Sequence, residues 1–227
     1  MSRIGDAFHH NNSQFAIDYL AMRKAIGILG MALPFILLIG YTFTGGCGVK
    51  SCVSEYYYTN MRDVFVGTLC ATGLFLISYK GKLRIDNISS SFAGVCAFIV
   101  AFFPCSPDPQ DVTCKIPSYD LIHLIAAIGF FISLILISAG LFTRVDKGKK
   151  KTKQKKQRNG VYIICAIVMF LSILAIPFEK CLFPGLSVYS PEFWLESIAL
   201  IAFGVSWFIK GKTFLQDKTE HSAPALV

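Results

Sequence analysis

Apolar residues in this chain come in long blocks, not in alternation. Six blocks stand out, at about residues 25–44, 64–79, 88–104, 120–143, 160–178 and 192–209. Within each block, hydrophobic positions run around the whole helical circumference instead of marking one stripe. That is the pattern of a helix in apolar surroundings on every side. Strands of a membrane barrel alternate apolar and polar positions, and these blocks do not. A hydrocarbon layer about 30 Å thick needs roughly 20 residues of helix at about 1.5 Å each. The pattern therefore predicts an all-α fold, a polytopic membrane protein built as a six-transmembrane-helix bundle.

Composition points the same way. The 227 residues are 54% hydrophobic and 16% charged, against about 25% charged in an average soluble domain. Residues 1–23 are polar and contain no apolar signal-peptide core, so the first block is expected to act as the targeting signal. The expected organisation is a cytoplasmic tail at 1–23, a membrane domain at 24–210 and a second cytoplasmic tail at 211–227.

Charge sets the expected orientation. Of the 22 Lys and Arg residues, all but Lys50, Arg62, Lys115 and Lys180 fall in the two tails and in the second and fourth connections. The positive-inside rule then places both termini in the cytoplasm of a bacterial inner membrane. The richest segment is KGKKKTKQKKQR, Lys147 to Arg158. It reads as a solvated, topology-setting loop with some attraction for anionic lipid. It lacks the interleaved aromatics on which single-stranded nucleic acid stacks, so no nucleic-acid partner is expected.

Cysteine usage agrees with this orientation. Cys47, Cys52, Cys105, Cys114 and Cys181 fall in the outer connections, while Cys70, Cys96 and Cys165 lie within helices. Disulfides persist on the oxidising side of a membrane. Two local bridges, Cys47–Cys52 and Cys105–Cys114, are the simplest pairing, although four cysteines allow three pairings. A thiol-disulfide oxidoreductase is a further possibility, but such enzymes normally carry CxxC and this chain has none.

The candidate chemistry lies at the outer mouth. SEYYYTNMRD, Ser54 to Asp63, precedes the second block. Tyr56, Tyr57 and Tyr58 read as an interfacial belt together with Tyr119, Tyr189 and Trp194. The second and sixth blocks are short enough to draw Arg62, Asp63, Glu192 and Glu196 to the membrane edge. Asp120 and His123, three residues apart, share one face of the fourth helix. Ionisable groups at such depth tend to face inward and to pair. Ser54, Arg62, Asp63, Asp120, His123, Glu192 and Glu196 are therefore the expected pocket residues, with Arg62 paired to Glu196 or Asp120. Helix-terminal capping alone accounts equally for Asp63, Asp120 and Glu192.

Across about residues 25–143 the chain resembles multi-pass bacterial membrane proteins grouped under a domain of unknown function. The likeness is carried by SEYYYTNMRD, YKGKLRIDN, GVCAFIVAFFPCSPD and the His opening the fourth helix. Ser54, Asp63 and His123 also resemble, distantly, the alkaline-ceramidase and adiponectin-receptor superfamily of membrane hydrolases. That likeness implies an intramembrane zinc held by three histidines. Apart from His123, however, the histidines here are His9, His10 and His221, all in the tails.

The expected function is an outward-facing polar pocket binding a lipid headgroup or small solute, with membrane lipids as partners and no metal or cofactor. The alternative is a metal-dependent lipid hydrolase using His123, Asp63, Asp120 and Glu196.

Overall fold

A computed structural model describes residues 2–81, 83–106, 117–144, 152–182 and 189–211, with the backbone alone for 2–18, 117–118 and 179–182. Among the described residues the chain is all-α, 84% helical, with no strand. Helix α1 runs Ser2–Phe43, α2 Arg62–Ser78 and α3 Arg84–Phe102. Helix α4 runs Pro117–Leu136 and continues through a π-helical turn, Ile137–Leu141. Helix α5 runs Lys153–Leu182 and α6 Pro191–Lys210. A short 3-10 helix, Val53–Tyr58, lies between α1 and α2.

Among the described residues, five helices are long and apolar enough to cross a membrane: Tyr19–Phe43 of α1, α3, Tyr119–Leu141, Lys153–Phe178 and α6. Helix α2 has 17 residues, short of a full span. Two boundaries differ from the expected organisation. The backbone is already helical from Ser2, so the polar residues 2–23 belong to α1. The basic run is not all loop either, since Lys153 to Arg158 form the first turns of α5. A run of Lys, Gln and Arg has good helix propensity.

Each helix packs against its neighbours in sequence, and α6 closes the ring against α1. Glycine sets two of these contacts. Gly27 of α1 faces Gly204 of α6, and Gly73 of α2 faces Gly94 of α3, each where an added Cβ would strike the opposing backbone. Small residues allow such approach in a bilayer, where the gain comes from packing and not from water exclusion. The ring is filled by Leu33, Leu37, Phe65, Leu76, Phe130, Phe203 and Trp207, all buried. Large apolar side chains such as Phe35, Ile125, Ile164 and Phe170 lie exposed around its outside, as suits helices bathed in hydrocarbon.

At one end, the basic end, α4 stops in its π-helical turn and leaves the Phe142 carbonyl open. Lys155 and Lys210 both donate to it, at 3.0 and 3.2 Å. Arg23 stacks on Tyr19 at 4.2 Å and donates to the Tyr79 hydroxyl and the Lys210 carbonyl. Trp207, fully buried, meets the rings of Tyr79, Phe142 and Phe203 edge-on or nearly so.

Candidate functional site: the cap

The other end is closed by the segment between α1 and α2. After α1 the chain turns through Gly45 and Gly48, whose φ of 89° and 75° favour glycine. It then enters the 3-10 helix, whose Val53, Ser54, Glu55 and Tyr56 are buried. Local bonds shape this cap. The Glu55 carboxylate accepts from the Ser51 N–H at 2.7 Å, and Thr59 Oγ1 donates to the Tyr56 carbonyl at 2.8 Å.

The start of α6 is stitched to the same segment. Ser190 Oγ donates to the Val49 carbonyl, and the Phe193 N–H donates to the Ser51 carbonyl at 2.9 Å. One turn further along α6, the Glu196 carboxylate accepts from the Val53 N–H at 2.7 Å. The next residue of the cap, Ser54, meets α4: its Oγ lies 3.0 Å from His123 Nε2. His123 Nδ1 lies 2.8 Å from the Phe103 carbonyl, which can only accept, so Nδ1 carries the proton. In the neutral ring Nε2 is then the acceptor, and the Ser54 hydroxyl donates to it. One turn before His123, Asp120 accepts from both the N–H and the hydroxyl of Ser106. The shared face of Asp120 and His123 thus clamps the exit of α3.

Beneath the cap lies a small cavity of about 40 Å³, open on one side. Leu33, Phe65, Leu69, Val100, Phe130 and Leu200 supply much of its wall, and among the described residues Ser54 and Glu196 are its polar lining groups. The cavity therefore has an apolar body, with a hydroxyl and a carboxylate among its wall groups.

The expected pocket residues divide. Ser54, His123 and Glu196 converge on the cap. Asp120 sits beside them as a clamp, and Glu192 is partly buried at the start of α6. Arg62 and Asp63 do not join them; both side chains are exposed. Arg62 pairs with neither Glu196 nor Asp120. Its guanidinium stacks on Tyr57 at 4.5 Å and donates to the Tyr57 hydroxyl at 2.7 Å. The first turn of α2 points these two residues away from the ring, and a nearby phenol serves the cation without burial.

The aromatic belt also needs correction. Tyr58 and Trp194 are exposed as expected, but Tyr56 is fully buried against Tyr41 and Phe193. Partial desolvation, with Cys105, Tyr57 and Asp120 nearby, pushes the Tyr58 phenol up to about 12. Sequence reasoning missed Glu55, which is buried. Its signal was a carboxylate set directly before three tyrosines, with a serine N–H four residues back.

The cysteines do not follow the local pairing. Cys47 is an exposed free thiol, and Cys52 lies against Cys105, sulfur to sulfur 3.7 Å. No described pair stands at disulfide distance. Cys114 falls outside the described residues, as does the side chain of Cys181. The bond to Cys105 and burial, with Glu196 and Glu192 nearby, push the Cys52 thiol well up.

The donor set does not suit the zinc of the resembled hydrolases. Both nitrogens of His123 are engaged, and Asp63 lies exposed on another flank. Among the described residues no three His, Cys, Asp or Glu side chains gather where a metal ion could sit. Comparison with protein-family models, curated proteins and solved structures finds no match.

Proposed function

We propose that this chain is a six-span protein of a bacterial cytoplasmic membrane, with both termini inside, whose capped outer end binds an amphiphile. The reading rests on one observation: a cavity with an apolar wall and two polar groups, Ser54 and Glu196. Hydrocarbon suits the wall, since burying apolar area is favourable by about 25 cal/mol per Å². The carboxylate favours a head that donates hydrogen bonds, an amine or hydroxyl, over an anionic one. The sixth span is α2, whose 17 residues reach across if the bilayer thins locally. The test is native mass spectrometry of detergent-purified protein. Wild type should retain lipid, and Ala127→Phe, which fills the cavity, should release it while eluting as a single species. Equal retention by both would remove the reading.

A second reading is favoured by the Ser54–His123 bond. A serine hydroxyl donating to an imidazole whose far nitrogen is held by a carbonyl is a nucleophile–base pair. Acting on a lipid ester, Ser54 would take the acyl group and release the alcohol, and water would then release the acid. Labelling by a fluorophosphonate, lost in Ser54→Ala and His123→Ala, supports this reading. An unlabelled wild type eliminates it.

A further inference from the structure

The cap carries a second chemistry that amphiphile binding does not use. Cys52 lies just before the 3-10 helix and Cys105 just after α3, 53 residues apart in the chain. Their sulfurs are nonetheless 3.7 Å apart. Tertiary contacts place them there. The Tyr58 hydroxyl donates to the Cys105 carbonyl at 2.8 Å, and Ser106 is bonded to Asp120. On the other side, Val53 is bonded to Glu196 and Ser54 to His123. Both cysteines thus sit next to fixed backbone, and neither is wholly shielded. Of the helical cysteines, Cys96 and Cys165 are buried, and Cys70 is half-buried.

We propose that Cys52 and Cys105 form a dithiol site that is oxidised reversibly by a small-molecule disulfide. The Cys105 thiolate attacks a sulfur of the oxidant and releases its first thiol, and Cys52 serves as the second cysteine. The second cysteine then attacks the mixed disulfide and releases the other. The oxidant's sulfur–sulfur bond is broken and reduced to two thiols, which take the two protons. The two cysteines lose two electrons and join. A disulfide is about 2.05 Å long, so the sulfurs approach by about 1.7 Å, within reach of side-chain rotation. The product fastens the end of α3 to the residue beside Val53 and Ser54, two groups of the cavity wall.

The experiment uses the full chain in detergent, reduced, freed of reductant and then exposed to oxidised glutathione. Remaining thiols are alkylated, and the protein is digested without reduction and mapped by mass. A linked peptide pair containing Cys52 and Cys105 should appear, revert on dithiothreitol treatment and be missing from Cys52→Ser. Free alkylation of both residues after oxidation would overturn the proposal, as would linkage of Cys52 to Cys47. The decisive measurement is on wild type, so a variant that fails to fold leaves it intact. Lipid release or retention is scored separately, and the link can form whether or not lipid binds.

Discussion

The two ends of the bundle solve the same problem with opposite groups, basic side chains at one and acidic side chains at the other. At the basic end, Lys155, Lys210 and Arg23 meet backbone carbonyls and ring faces around a packed aromatic cluster. At the cap, Glu55 and Glu196 meet backbone N–H groups. Helix polarity explains part of this. Helices α4 and α6 begin at the cap, where N–H groups are free, and end at the basic end, where carbonyls are free. Filling separates the ends more sharply. Trp207, Phe142 and Tyr162 occupy the space at the basic end, whereas the cap roofs a cavity. The basic end is therefore structure, and the cap is structure built around a space.

The strongest way to break this contrast is at Trp207. The side chain is fully buried between the rings of Tyr79 and Phe142, at 5.0 and 5.2 Å. Trp207→Ala should cost about 3–5 kcal/mol, the range for emptying a large aromatic site. Fluorescence-detected size exclusion should show collapsed yield of monodisperse protein. A variant that folds normally would mean the basic end is not the stabilising cluster.

The middle effect is at Glu196. Glu196→Ala leaves the Val53 N–H without its acceptor, a loss of about 1–3 kcal/mol for a buried donor. Its thermal midpoint should fall. Glu196→Gln keeps an acceptor for the Val53 N–H and removes the carboxyl group, so its midpoint should stay near wild type while retained amine-headed lipid declines. If the two variants behave alike, the carboxylate is only a fastening for the cap.

How far the chain foretold this is uneven. The α-helical, membrane-embedded class was legible because blocks of apolar residues leave few other folds. Helix ends were legible within a few residues, except at α1 and α5, where polar helix formers continue the helix past the apolar block. Two of the ionisable groups expected near one end, His123 and Glu196, bond to Ser54 and Val53 of the cap. Rotation about each helix was not legible. A fully apolar helix has no stripe to show which side faces inward, so Arg62 and Asp63 were expected inside and stand outside. The 3-10 helix was hidden because several of its partners, His123 of α4 and Phe193 and Glu196 of α6, lie far away in sequence. The same distance concealed the approach of Cys52 to Cys105.

The smallest expected effect tests that rotation directly. Arg62 is exposed, stacked on Tyr57 and bonded to its hydroxyl at 2.7 Å. An exposed cation–ring contact contributes about 0.5–1 kcal/mol, so Arg62→Ala should lower the thermal midpoint only slightly. It should also leave lipid retention untouched, because no part of Arg62 lines the cavity. Its exposure means that removal opens no void and strands no buried acid. Thermal midpoint and native mass spectra on one preparation read both quantities together. A variant with normal stability but stripped of lipid would place the binding surface on the outer flank of α2, outside the cap. That result would overturn the division between Arg62 on one side and Ser54, His123 and Glu196 on the other.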